Sequence, residues 1–496
     1  MKLIYSIIFL IFFLISSLYS QNEFRWAADA EGNAPYIFQD PDNPSNLKGF
    51  EVDLAEAIAK KLGMKAKHIQ NQWDGLIPGL YRGDYDIAIN GIEITADRKK
   101  EVLFSVPYYY TSENLVVRSE EQKINSLSDL YGKRVGALKN SLAERILLAQ
   151  GGFNVLSYEG EVNAFEDLKN GRLDAALVDY PIALYYTACN LDTKMVGPPI
   201  GEVVYGAALR LKDTALLAKV NQAIISITRS GQLREILERW NLWNEVMAIR
   251  LHDMSESKTK HIEFELYLKS QGQERNLITM LERYISFMPL FAQAALITLG
   301  LSIISMLVAV ILGLFLALAR IFGPKFISRL ATLFIEIIRG TPLLIQLFII
   351  FYAMPSIGIK LSPFLAAVIG LGVNYSAYEA ENYRAGLFAI AKGQMEAAIS
   401  LGMRRRDALR HIILPQAFRI VIPPMTNDFI SLLKDSSLVS VITMVELTKV
   451  YNQVASTYFD FLGTGIIVAI IYLLLGLPFI KLSKFAENHL GLYKTK

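Results

Sequence analysis

An α/β region followed by a bundle of membrane-spanning helices is the architecture the sequence predicts, on three observations. Residues 21–245 alternate short apolar strands with helical patterns, as in LKGFEVDLAEAIAKKLG followed by KAKHI. Residues 287–319 then contain no Asp, Glu, Lys or Arg, a run long enough for a tilted spanning helix. Over half of the 496 residues are apolar, which fits lipid contact over part of a chain of about three domains.

The chain opens with MKLIYSIIFLIFFLISSLYS, one Lys ahead of an apolar run and then small polar residues, the layout of a secretion signal over residues 1–20. Cleavage after Ser20 is one reading, and an uncleaved anchor is the other, because Leu18 is large for its place before the cut. Either way the following segment is expected outside the cytoplasm. Cys189 is the single cysteine, so no internal disulfide framework exists, and a small buried hydrophobe is its expected role. Fifty Lys and Arg against forty-seven Asp and Glu, with no basic stripe, give nucleic-acid binding no support.

Beyond the first apolar run, residues 341–359, 361–378 and 461–480 are also free of Asp, Glu, Lys and Arg, and the first of these is expected to begin near Leu330. A weaker span over 415–445 is interrupted by Arg419, Asp428, Lys434 and Asp435, which need protein or water around them. Five spans are expected. Positive charge gathers at Arg320, Lys325 and Arg329, at Lys392 and residues 404–410, and at Lys481 and Lys484, so these places are expected to face the cytoplasm. Glu336 and Arg339, and Glu381 and Arg384, have the spacing of helix pairs, whereas Glu379 and Asp428 are intramembrane candidates for substrate contact or for packing.

Within the α/β region, residues 80–88 and 168–176 share the pattern L-x-x-G-x-x-D-x-A, the trace that two similar lobes would leave. Gly83 and Gly171 are expected to end helices, and Asp86 and Asp174 to start strands. In such sheets ligands gather beyond the carboxyl ends of strands. Two segments fit that place. In DIAINGIEITADRKKEV, Thr95 is the expected N-cap of a helix with Arg98 in its first turn, where a cation needs an anionic partner. That partner is either Glu93 or a ligand carboxylate. In GALKNSLAERILLAQ, Ser141 and Glu144 fit a capping box.

Taken together, GFEVDLAEAIAKKLG, WDGLIPGLYRGDYDIAINGIEITADR, FSVPYYYTSENLVV and GRLDAALVDYP resemble the polar amino-acid-binding proteins of bacterial ABC importers over most of residues 25–245. The resemblance implies a two-lobed type II periplasmic-binding-protein fold, with lobe 1 at 21–110 and 202–245 and lobe 2 at 111–201, closing over one polar amino acid. It implies that Arg98 takes the ligand's α-carboxylate with help from Thr95 and Ser141, that Asp179 takes the α-ammonium with the carbonyl of Gly91, and that Trp73 packs on the side chain. Two departures stand out. Glu93 occupies a position usually Ser or Thr, and DAEGNAPY is one residue longer than usual, which leaves open whether Asp29 or Glu31 reaches the ligand.

Residues 285–490 resemble the permease subunits of the same importers through EIIRGTPLLIQLF, AYEAENYRAG and KGQMEAAISLGMRRRDALRHIILPQAFRIVIPPMTNDFISLLKDSSLVSVI. The resemblance implies an all-α domain at 286–490 reached through a linker at 246–285, and a coupling loop at 391–415. In that loop Glu396, Ala397, Ala398 and Gly402 would dock on a cytoplasmic ATPase. Gly402 would permit a sharp turn, and Pro415 would end the following helix. No G-x-x-x-x-G-K-[ST] phosphate loop occurs, so ATP and Mg are expected to act through a partner subunit, with no cofactor held by this chain. A permease homodimer in the inner membrane is the simplest assembly. An amino-acid-gated channel or a transmembrane sensor is the alternative from another class.

Overall fold

The computed structural model describes residues 23–40, 43–257, 259–271 and 277–489, so the expected signal segment lies outside the described residues. Two compact units divide the chain: Met1–Phe287 with Asn452–Phe461, and Met288–Tyr451 with Leu462–Lys496.

The first unit runs from β1 (Glu23–Ala28) through a small hairpin, β2 (Phe38–Gln39) and β3 (Leu47–Lys48), to α1 (Phe50–Lys61), β4 (Lys65–Gln70), α2 (Leu76–Arg82), β5 (Ile87–Ala88), α3 (Arg98–Glu101), β6 (Val102–Phe104) and the long β7 (Tyr109–Arg118). It continues with β8 (Arg134–Leu138), α4 (Leu142–Gln150), β9 (Asn154–Tyr158), α5 (Glu161–Lys169), β10 (Ala175–Asp179), α6 (Tyr180–Cys189) and β11 (Thr193–Tyr205). Then come β12 (Ala208–Arg210), α7 (Thr214–Arg229), α8 (Gln232–Arg239), α9 (Glu245–Arg250) and α10 (Ile262–Gln271).

These strands form two five-stranded sheets, ordered β4-β1-β5-β12-β6 and β11-β7-β10-β8-β9, one to each lobe. The chain enters the second lobe along β7 and returns along β11, which pairs antiparallel with it from Thr193↔Arg118 to Tyr205↔Tyr109. The repeated sequence pattern does what it predicts in both lobes. Gly83 caps α2 in the left-handed conformation (φ 83°), and Gly171 has φ 72°, a region that costs glycine little. Asp86 and Asp174 immediately precede β5 and β10. Each lobe has its own apolar centre, with Leu76, Leu80, Tyr85 and Ile92 in the first and Leu115, Leu130, Val135 and Leu177 in the second.

The linker is not a bare tether. Tyr267 on α10 is 3% exposed, with its ring 5.4 Å from Phe38 and 5.0 Å from Tyr185. Aromatic side chains spaced through a polar stretch give this segment an apolar face to bury, a signal its overall composition hides. Cys189 is half-buried rather than fully buried.

The second unit is helical: α11 (Leu277–Phe322), which begins in the first unit, then α12 (Lys325–Gly340), α13 (Leu343–Phe348), α14 (Pro363–Phe388), α15 (Lys392–Ser400), α16 (Arg405–Ala408), α17 (Leu414–Asp435), α18 (Leu447–Tyr458) and α19 (Phe461–His489). Among the described residues two stretches, Met280–Phe322 and Phe461–Phe485, are long and apolar enough to cross a membrane, or three if the bent pair Lys325–Gly340 and Leu343–Ile357 is one span. The expected five are therefore not reached on length and hydropathy. Within residues 361–378 and 415–445 the chain does form helices, α14 from Pro363 and α17 to Asp435, but their polar and charged residues lower their hydropathy. The expected second span bends by 105°. Thr341 is extended (φ −118°, ψ 142°) because it precedes Pro342, whose ring disfavours the helical region in the residue before it.

Replacing Tyr267 by Ala should destabilise the first unit by about 3 kcal/mol through the cavity it leaves. Trp240, whose ring lies 5.9 Å from that of Phe38, should report the shift in a fluorescence-detected thermal unfolding of the full chain in detergent.

Candidate functional site

The first unit brings loops from both sheets to one cavity. Asp29 follows β1, Asn90 and Gly91 follow β5, Ser141 heads α4, Glu161 heads α5 and Asp179 ends β10, and all of them line it with Tyr36, Trp73 and Glu93. This is the place beyond strand ends where sheets of this kind leave backbone amides and side chains unfilled.

On one side stands a buried ion pair. Thr95 Oγ1 accepts from the amide of Arg98 at 3.3 Å, but it lies two residues ahead of Asp97, which takes the N-cap place expected of Thr95, and Arg98 is the first residue of α3. It pairs with Glu93, donates to the Asn140 carbonyl at 2.9 Å, and lies 5.3 Å from the centre of the Trp73 ring. Burial and the nearby Arg145 lower the Arg98 pKa to about 10, which leaves it charged at neutral pH. The other oxygen of Glu93 accepts from the amide of Leu142, first residue of α4, at 2.8 Å. Ser141 caps that helix by accepting from the Glu144 amide at 3.2 Å, while the Glu144 carboxylate accepts from the Asn140 amide at 2.6 Å, one residue ahead of an ideal capping box.

On the other side lies a group of acids. Asp179 accepts from the Tyr36 hydroxyl at 3.1 Å and from Tyr205, and the two hydroxyls are 2.7 Å apart. Burial and the adjacent Asp179 push the Glu113 pKa well up, and burial raises that of Asp179 against the opposing pull of Tyr205, Glu113 and Tyr36. Burial thus disfavours the charged form of both carboxyls. Burial likewise pushes Glu161 up to about 8. Glu51, also raised to about 8 by burial, accepts from Tyr108 and from the amide of Gly91 at 2.7 Å. Gly91 has φ 59° and lies against the Tyr36 ring, where a Cβ would stand 3.0 Å from the nearest ring carbon.

The expected residues thus gather, with their relations altered. Arg98 faces Glu93, the first of the two partners the sequence allowed, and is absent from the cavity lining. Asp29 lines the cavity, but its oxygens accept from Gln70 at 2.9 Å, from the Glu31 amide at 3.1 Å and from the Trp73 amide at 3.1 Å, so it fixes loops. Trp73 also donates its indole N–H to the Lys139 carbonyl at 3.1 Å. Tyr36, Tyr205, Glu113 and Glu161 escaped the sequence reading. A charged residue inside the apolar strand ENLVV was the available signal for Glu113. Glu93, Glu113 and Asp179 bring carboxylate oxygens within 4.8 Å of one another, close enough for a metal ion. Arg98 and the Leu142 amide already engage Glu93, and the tyrosines engage Asp179.

In the second unit, α15 carries the loop motif. Glu396 and Ala397 are exposed, whereas Ala398 is buried at 2%. Gly402 turns the chain at φ 84°, where a Cβ would meet nothing within 4 Å, so conformation rather than space calls for glycine. The Gly402 amide closes on Ile399 O at 2.9 Å and that of Met403 on Ala398 O at 3.1 Å, ending α15 sharply and leaving Leu401 85% exposed. Pro415 does not end the next helix. It sits at the start of α17, directly after a π-helical stretch, Leu409–Ile413, that accommodates its missing N–H. Glu381 binds Arg384 at 2.8 Å, as its spacing predicts, and also Arg320, while Arg339 lies 3.9 Å from Glu381. Asn382 donates to Asp428 at 2.8 Å, and Glu379 is fully buried.

Two family profiles match the chain: bacterial extracellular solute-binding proteins, family 3, over residues 25–242, and the binding-protein-dependent transport system inner membrane component over residues 309–489. Among relatives, the L-cystine transport system permease protein TcyB of Bacillus subtilis is 42% identical over 35% of this chain and 75% of its own length. The glutamine transport system permease protein GlnP of Escherichia coli K12 is 37% identical over 38% of this chain and 87% of its own. A solved ancestral arginine-binding protein bound to glutamine is 36% identical over 45% of this chain and 99% of its own, with a TM-score of 0.42. The chain therefore belongs to the amino-acid ABC transporter permeases, with a family 3 solute-binding domain joined ahead of its inner-membrane component.

Proposed function

We propose that this chain is the combined capture and permease subunit of an ABC importer, taking a polar amino acid with a cationic side chain from outside the cytoplasmic membrane. The observation that carries this reading is the presence, in one chain and in this order, of the solute-binding and inner-membrane families. The cationic preference rests on the cavity, whose described lining holds Asp29, Glu31, Glu93, Glu159, Glu161 and Asp179 and no Lys, Arg or His. A positive ligand among carboxylates exchanges hydration for charge-assisted hydrogen bonds.

ATP is hydrolysed by a separate cytoplasmic subunit, and two copies of the permease domain form the path. The loop from Lys392 to Met403 is the docking point: an exposed Glu396, a small Ala397 and the exposed Leu401 form a compact surface held by the Gly402 turn. Nucleotide-driven movement of that loop rocks the helices, and the positive-inside charge pattern supports a cytoplasmic loop with the first unit outside.

Two measurements test this. Co-expression with candidate ATPase subunits should yield a complex that survives purification, and the pair of changes Glu396→Lys and Gly402→Val should abolish it while ligand affinity of the full chain stays unchanged. Ligand capture should also release protons. Glu161 is protonated at neutral pH with a pKa of about 8, and a cation favours its ionised form. Affinity should therefore rise as pH approaches about 8, with a calorimetric enthalpy that depends on the buffer. The unliganded unit should behave oppositely: the raised values of Glu51 and Glu161 lend stability in acid that is lost as pH climbs through about 8.

A further inference from the structure

Arg98 and the Leu142 amide form a carboxylate-binding arrangement, a guanidinium beside the first amide of a nine-residue helix. Here it is occupied, and the occupant belongs to the chain. One Glu93 oxygen takes the guanidinium and the other takes the Leu142 amide at 2.8 Å. Glu93 is itself 2% exposed and held by its backbone to β11, through the bridge Glu93↔Tyr205 and the bond from Ile94 N to Val204 O at 2.8 Å. It is thus a fixed part of the cavity wall.

The consequence follows from charge. With Arg98 paired and absent from the lining, the described cavity wall offers a ligand six acidic side chains and no cationic one. A free carboxylate entering this space has to displace Glu93 from Arg98, which would leave a buried carboxylate without its partner, or else sit unpaired among acids. Both are costly in a buried site. An ammonium or guanidinium meets no such obstacle, since Asp179 with its two tyrosines and Glu161 stand ready to accept from it.

We propose that Glu93 is a specificity-determining residue: a built-in competitor for the ligand's α-carboxylate that makes the pocket prefer cationic amines lacking that group, the decarboxylated counterparts of basic amino acids. The proposal rests on the reading of this cavity as the importer's capture site, and within that reading it moves the preferred ligand from the basic amino acid itself to its decarboxylated counterpart.

Isothermal titration of the full chain in detergent with two matched pairs, agmatine against arginine and cadaverine against lysine, tests it. The wild type should bind each amine more tightly than its amino acid. Glu93→Ser, which frees Arg98 and the Leu142 amide, should improve the amino acids roughly tenfold or more, the worth of a charge-assisted hydrogen bond, and change the amines less. Glu93→Gln, which keeps the side-chain volume and removes the charge, should shift the ratio in the same direction, and it carries the test if the serine variant does not fold. Tighter binding of arginine and lysine than of the amines by the wild type overturns the proposal and leaves the importer reading intact. An amine-to-amino-acid ratio that neither variant changes overturns it as well. Failure of all four compounds to bind overturns both the proposal and the assignment of this cavity as the capture site.

Discussion

The burial of Glu93 against Arg98 is the constraint from which the rest of the cleft takes its form. Two opposite charges removed from water must meet each other closely, and their remaining hydrogen-bonding capacity must be satisfied nearby. That requirement fits the Thr95 hydroxyl on the Arg98 amide, draws the Asn140 carbonyl and the Leu142 amide inward from the second lobe, and sets Trp73 over the guanidinium. Because Glu93 and Thr95 belong to the first lobe and Asn140 and Leu142 to the second, the same ion pair joins the two halves of the unit. The acids across the cavity meet burial in another way: it raises the pKa of both Glu113 and Asp179, and Asp179 accepts from the hydroxyls of Tyr36 and Tyr205.

Much of this was legible in the sequence because the signals were local. The two-lobe organisation was visible in a repeated helix-glycine-strand pattern, and Gly83 and Gly171 perform the turns it requires. Ser141 announced itself as a cap by residue type and spacing, and it caps, whereas Thr95 bonds the Arg98 amide from two residues ahead of Asp97, the N-cap of α3. Arg98 could be placed at a helix start, with Glu93 named as one of its two partners. The contributions of Tyr36 and Tyr205 depend on long-range register instead: their hydroxyls meet across 169 positions of sequence, which no local pattern encodes. Glu113 and Glu161 escaped for a related reason, since a carboxylate in a strand or at a helix start is ordinary until the fold surrounds it with other acids.

In the second unit, hydropathy marked apolar runs well and misjudged their continuity. A proline read from sequence is a stop signal, yet Pro415 lies at the head of a helix because the preceding turn widens to a π-helix, whereas Pro342, beside an extended Thr341, produces a true break. The difference lies in whether the preceding turn can absorb a missing donor, a matter of tertiary context. The linker shows the opposite case: polar in its overall composition, it still buries Tyr267 against Phe38 in the first unit.

The unbroken passage of the chain from the first unit into the second along α11 also sets a ratio. A cell that secretes its receptor separately can vary receptor abundance independently of pores, and so tune how far supply outruns uptake. Here every copy synthesised adds one receptor and one permease domain together, so gene dosage scales both alike. The stoichiometry is an inherited property of the polypeptide rather than of its regulation.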